Sequence, residues 1–130
     1  PERFLSTTII LEEAVRAMEE TDDPRVQVAF GQLVARLRTL RRMSLGVSAL
    51  LQEGASPETE AALVKEVGTR FERELIEGVR AVAPSQPSTQ SMSAYHSTLR
   101  DGILHIPSST IRGGTNEVLK GIVARQLGLR

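Results

Sequence analysis

The stretch Pro24-Arg25-Val26-Gln27-Val28-Ala29-Phe30-Gly31-Gln32-Leu33-Val34-Ala35-Arg36-Leu37-Arg38-Thr39-Leu40-Arg41-Arg42-Met43-Ser44-Leu45-Gly46-Val47-Ser48-Ala49-Leu50-Leu51-Gln52-Glu53-Gly54 decides the fold class of this 130-residue chain. Phe30, Leu33, Val34, Leu37, Leu40, Met43, Ser44, Val47, Leu50 and Leu51 recur at helical spacing and form one broad apolar stripe. The stripe predicts a helix from about Arg25 to Glu53, with Asp23 able to cap it, Pro24 suited to its first position and Gly54 ending it. At 1.5 Å per residue such a helix is on the order of 40 Å long, and a helix of that length needs others alongside it.

Both neighbours have the same period. Upstream, Leu11, Ala14, Val15 and Met18 fall at i, i+3, i+4 and i+7 between charged residues, which predicts an amphipathic helix from about Glu2 to Glu20. Downstream, Ser56-Pro57-Glu58-Thr59-Glu60 reads as a helix start, with Ser56 capping, Pro57 first and the glutamates complementing the dipole. Leu63, Val67, Phe71, Leu75, Val79 and Val82 are the expected stripe of that third helix. Residues 83–91 are rich in Pro and Ser and read as a linker. Beyond it Tyr95, Leu99, Ile103 and Leu104 suggest a short helix interrupted by Gly102, and Pro107-Ser108-Ser109 separates it from the terminal stretch. There Gly113-Gly114 turns the backbone, Thr115 caps, and an amphipathic helix runs from about Asn116 to Leu127. The N–H groups of such a first turn can cradle an anion, although a glycine pair at this spacing is more often a plain turn.

A helical period throughout, short polar turns and no strand pattern imply an all-α, antiparallel up-and-down four-helix bundle, a single domain over residues 1–130 with the linker inside it. Phe4, Phe30, Phe71 and Tyr95 are the only aromatic residues, so the core must come from Leu, Val, Ile and Ala. Sixteen basic and sixteen acidic residues cancel, so no overall field favours nucleic acid or an anionic membrane. Arg36, Arg38, Arg41 and Arg42 cluster on the exposed side of the long helix without interleaved aromatics, which suits a solvated or intersubunit face rather than nucleic acid. The absence of cysteine fits a reducing cytoplasm, and no apolar run is long enough to span a bilayer. His96 and His105 do not have metal-ligand spacing, and no nucleophile elbow, phosphate loop or dinucleotide fingerprint occurs.

The end of the chain carries a resemblance. Gly113-Gly114-Thr115-Asn116-Glu117-Val118, then Ile122-Val123-Ala124-Arg125 and Leu127-Gly128-Leu129, closely resembles the C-terminus of the acyl-CoA dehydrogenase family. The order and length of the helices support it over residues 1–82, and residues 83–106 support it weakly. The resemblance implies the C-terminal bundle of a three-part flavoprotein, incomplete without its N-terminal helical domain and middle β-domain. It implies FAD as cofactor, an acyl-CoA as substrate, α,β-dehydrogenation in lipid metabolism, a homo- or hetero-oligomer, and electron-transfer flavoprotein as partner. A carboxylate would remove the α-proton while the β-hydrogen leaves as hydride to the flavin, and the base must sit in a dry pocket.

By the resemblance, the segment contacting the flavin maps onto Gly114, Thr115, Asn116 and Glu117, with Gly114 also toward the substrate. Many members carry the base as Glu immediately before Gly-Thr, and this chain has Gly113 there. A second group carries it as a Glu-Arg pair on the first helix. Glu2-Arg3 stands at the matching place, so Glu2 would be the base and Arg3 would lie near the CoA side of the substrate. Glu2 and Gly113 should then lie close in space. The family's Arg-x-x-Phe-Gly segment survives only as Ala29-Phe30-Gly31, and its Gln-x-x-Gly-Gly-x-Gly segment is replaced by the linker. Both losses weaken a cross-subunit FAD site. They imply a divergent member, with a non-catalytic oligomerisation or interaction module as the alternative.

Overall fold

Five helices form in chain order: α1 (Thr8–Ala17), α2 (Pro24–Gln52), α3 (Glu58–Val82), α4 (Gln90–Ser109) and α5 (Asn116–Gln126). The computed structural model describes residues 7–19, 21–83, 90–109, 111 and 115–129. No strand occurs among them.

The α1–α2 junction forms as its sequence requires. Asp23 adopts extended backbone and its side chain accepts from the Arg25 amide at 2.9 Å, with Pro24 at the first helical position. A proline there has no amide to leave unsatisfied. At the other end of α2, Gly54 turns the chain with φ +81°, a conformation that glycine enters without steric cost. The start of α3 differs from expectation. Pro57 is itself the cap residue, no side chain bonds the first turn, and the Ser56 carbonyl accepts from the Glu58 amide at 2.9 Å instead. Glu58 and Glu60 still place negative charge at the positive end of the helix dipole.

The helix α3 is the axis of the fold, and it packs against all four others. Phe71, Leu75 and Val79 of the expected stripe are buried, joined on that face by Val64 and Gly68, which the stripe did not include. Ala62, Thr69 and Ile76, seven apart, line a second buried face on which no stripe was expected. Leu63, assigned to the stripe from sequence, is exposed. The helix α2 runs antiparallel to α3. Leu33 lies beside Gly78, Arg36 pairs with Glu74, and Val47 shares a depression with Pro57 and Ala61. Arg36 thereby leaves the expected arginine cluster, whereas no described residue pairs with Arg38, Arg41 or Arg42.

The helix α1 presents Ile10, Leu11, Ala14 and Met18 to the core, and Val15 points outward. It packs antiparallel on α4 so closely that a Cβ on Gly102 would stand 2.4 Å from Ile10 Cδ1. Gly102 therefore marks the contact between two helices, not an interruption, and α4 continues through it. Pro107 is also inside α4, near its end. Tyr95 and Leu99 are buried as expected, whereas Leu104 is exposed. The helix α5 lies antiparallel to the first half of α3, with Lys120 near Glu66 and with Ile122 and Gln126 near Ala62 and Glu58. The up-and-down bundle thus has α1, α2 and α3 as three of its rods, and α4 followed by α5 as the fourth.

Candidate functional site

The first turn of α5 is set by Thr115, which has extended backbone and whose hydroxyl oxygen accepts from the Val118 amide at 3.4 Å. The Thr115 carbonyl accepts from the Leu119 amide at 3.1 Å. The Glu117 carboxylate folds back on the same turn. Its own backbone N–H, then the Thr115 hydroxyl, with Lys120 contributing, hold it below the usual carboxylate range. Both side chains satisfy donors that a helix start would otherwise leave open. Asn116 differs from its neighbours, because its side-chain oxygen is buried without a hydrogen-bond partner among the described residues.

At the end of the bundle where α1 begins and α4 finishes, a cavity of about 370 Å³ opens between α1, α3 and α4. Ile9 and Ile10 of α1, Ile76 of α3 and Ile106 of α4 give it an apolar body. Glu72, only 3% exposed, reaches it from α3. Thr98, Asp101, His105 and Ser108 add polar groups from successive turns of α4. The His105 ring Nδ1 lies 2.7 Å from the Asp101 carbonyl oxygen, which can only accept, so Nδ1 carries a proton.

Of the residues assigned to the site from sequence, Glu2, Arg3 and Gly114 lie outside the described residues, as does Gly113. Thr115, Asn116 and Glu117 are together on the first turn of α5. The expected closeness of Glu2 and Gly113 falls outside the described residues as well. Glu72 and His105 were missed. Glu72 stands between Phe71 and the unexpected Thr69–Ile76 face, and a sevenfold recurrence of Ala62, Thr69 and Ile76 was the available signal that this side of α3 is covered.

The α5 turn also shows which parts of FAD fit. An orphaned, buried Asn116 acceptor suits a hydroxyl or ring N–H donor, both of which FAD has. A phosphate fits less well at the same point, because the Glu117 carboxylate accepts from its own first-turn amide and its charge opposes an anion there.

No group of three or more His, Cys, Asp or Glu side chains converges as a metal site among the described residues. No described helix is long and apolar enough to cross a membrane. A family model with the description acyl-CoA dehydrogenase, C-terminal domain, matches residues 9–128. No curated protein and no solved structure matches the chain.

Proposed function

The chain belongs to the acyl-CoA dehydrogenase C-terminal domain family, and from that premise we propose that it is the helical-bundle part of a FAD-dependent acyl-CoA dehydrogenase. The observation that carries this reading is the family match, which extends from α1 to beyond α5. Completion of the site requires the N-terminal and β-domains, and a homo- or hetero-oligomer is the working assembly. Bound FAD supplies the hydride acceptor. The chain's own part is to hold and deprotonate the substrate. Glu2 takes the α-proton of the acyl thioester, Arg3 and Gly114 lie along the substrate, and Thr115, Asn116 and Glu117 face the flavin. Asn116 accepts from a donor of the cofactor, and Thr115 and Glu117 keep the turn that presents it. An electron-transfer flavoprotein would be the partner that takes up the electrons.

Gly113 stands where, by the resemblance, many members of the family carry glutamate, and a glycine has no group to abstract a proton. A non-catalytic oligomerisation module is the second reading. The observation in its favour is Glu117, whose charge opposes a cofactor phosphate at α5.

The test is to express the longest reading frame that contains these residues, look for bound yellow flavin, and follow its bleaching with a panel of acyl-CoAs. No flavin and no bleaching, with or without a partner subunit, refutes the dehydrogenase reading. Glu2→Gln should keep the flavin and slow bleaching by about 10²-fold or more, the contribution expected of a positioned general base. A rate near wild type moves the base elsewhere.

A further inference from the structure

The carboxylate of Glu66 ties two helices together. Glu66 is only 7% exposed; its Oε1 accepts from Arg70 Nη2 at 3.0 Å and lies 3.7 Å from Lys120 Nζ. A carboxylate withdrawn from water needs such cations to stay charged. The two cations differ in what they join. Arg70 is four residues along the same helix, so it neutralises Glu66 within α3. Lys120 belongs to α5, and its pair with Glu66 crosses from one helix to the other.

The apolar seat of α5 is small, because Leu119 is the one residue buried among those described in that helix. The charged contact beside Leu119 therefore weighs more than it would in a well-covered helix. Asn116, Leu119, Lys120 and Val123 fall at i, i+3, i+4 and i+7, which puts them on one side of α5. Leu119 is buried there and Lys120 reaches Glu66, so that side is turned toward α3. Asn116, with its buried and unsatisfied oxygen, stands one turn before Lys120 on the same side. Lys120 also acts within α5, because its charge favours the ionised form of Glu117 on the first turn.

We propose that Glu66 is a positioning residue of the cofactor site: through Lys120 it seats α5 on α3, and so sets how tightly the first turn of α5 holds the flavin. The proposal rests on the dehydrogenase reading for the flavin, and on the α3–α5 contact alone for the seat. A cofactor that binds only the seated helix loses affinity in proportion to the fraction of molecules in which the helix is seated. The Lys120 side chain is 61% exposed, so water screens the pair on that side and the effect is modest.

The test is FAD titration of the apoprotein of the flavoprotein that contains these residues, with thermal unfolding measured alongside. Lys120→Met and Glu66→Gln should each raise the Kd for FAD by about threefold or more. Lys120→Met leaves Glu66 neutralised by Arg70, so this variant remains informative if the one at buried Glu66 does not fold. Lys120→Arg, which keeps the cation, should bind FAD nearly as wild type does. Arg70→Met should change the Kd by less than about twofold, because Arg70 does not reach α5. The double variant at Glu66 and Lys120 should bind no more weakly than either single one, whereas independent losses of stability would add. Wild-type affinity in Lys120→Met, additive losses in the double variant, or an equal loss in Arg70→Met overturns the proposal and leaves the dehydrogenase reading intact.

If the wild-type protein takes up no FAD, the dehydrogenase reading fails, the flavin half of the proposal falls with it, and amide exchange decides the seat. Lys120→Met should then speed exchange in α5 by about threefold or more and leave α3 unchanged. Unchanged exchange in α5 overturns the seat as well.

Discussion

The Tyr95 hydroxyl is the point at which packing and polarity conflict most directly. The side chain is fully buried, and its hydroxyl has no hydrogen-bond partner among the described residues. Burial pushes the phenol pKa up to about 12, because the charged form would have to leave water. A raised folded-state value means that the neutral form stabilises the fold fully below about pH 10, and that this contribution is lost as pH rises through about 12. Tyr95 is the only tyrosine, so an ultraviolet absorbance titration reports it alone and should give a midpoint near 12, not 10. Tyr95→Phe removes an unsatisfied hydroxyl and keeps the ring, so it should stabilise the protein by about 1 kcal/mol in thermal unfolding. A loss of similar size would mean that the hydroxyl has a partner, and the argument would fail. Nothing in the sequence marks this residue beyond its place in an apolar pattern. A hydroxyl's partners are set by which helices meet around it, and those are tertiary facts. Glu72 was missed for the same reason: its neighbours in sequence put it at the edge of a stripe, and only the arrival of α4 and α1 makes it a cavity residue.

At the scale of single helices, local chemistry made much of the fold readable. Asp23-Pro24 starts α2 as its residue types require, Gly54 stops it, and Thr115 starts α5. These signals are local because a cap bonds amides two or three residues away. The errors fall where a nonlocal partner decides. Gly102 and Pro107 have the composition of a break, yet α4 passes through both. Gly102 faces α1, where an added Cβ would crowd the end of the Ile10 side chain. The Asp23 cap makes a specific prediction. Arg25 bonds the carboxylate first through its side chain and then through its amide, and both lower the pKa from its usual 3.8. A lowered folded-state value contributes stability above the ordinary carboxylate range, and that stability is lost as pH falls through the depressed value. Asp23→Ala should therefore lower the unfolding midpoint by about 2–4 °C at neutral pH, the usual effect of losing a cap. The difference between the two proteins should close progressively below about pH 3.8. A difference that is constant with pH would show that the charge of Asp23 is not what holds the start of α2.

At the scale of the whole molecule, the division of labour among the helices follows from how much of each is covered. The antiparallel bundle was legible because long amphipathic stripes can be satisfied only by one another. What the stripes did not show is that α3 is covered on two faces while α2 packs chiefly along one. The second face of α3 includes Thr69 and Glu72, and polar residues hide a buried face from any count of apolar spacing. This asymmetry predicts how the molecule opens. Leu75, Ile76 and Val79 are at most 1% exposed and sit on the helix that every other helix touches, so their amides should exchange with solvent only when the entire bundle unfolds. The helix α5 buries only Leu119, leaves Val118 exposed, and packs mainly on α3. Detaching it exposes little apolar surface, so its amides should exchange through a local opening well below the free energy of global unfolding. Native-state hydrogen exchange with increasing denaturant separates the two cases, because global openings become more frequent with denaturant and small local ones hardly change. The expected order is α3 slowest and α5 fastest, with a marked denaturant dependence only in α3. Equal protection of the two helices would mean that α5 is held by contacts beyond α3. If cofactor binds at the first turn of α5, the same measurement on the flavin-loaded protein should slow exchange in α5 while leaving the α3 amides the slowest. An opening that involves α5 alone would then place the lowest barrier in the bundle at the turn proposed to face the flavin.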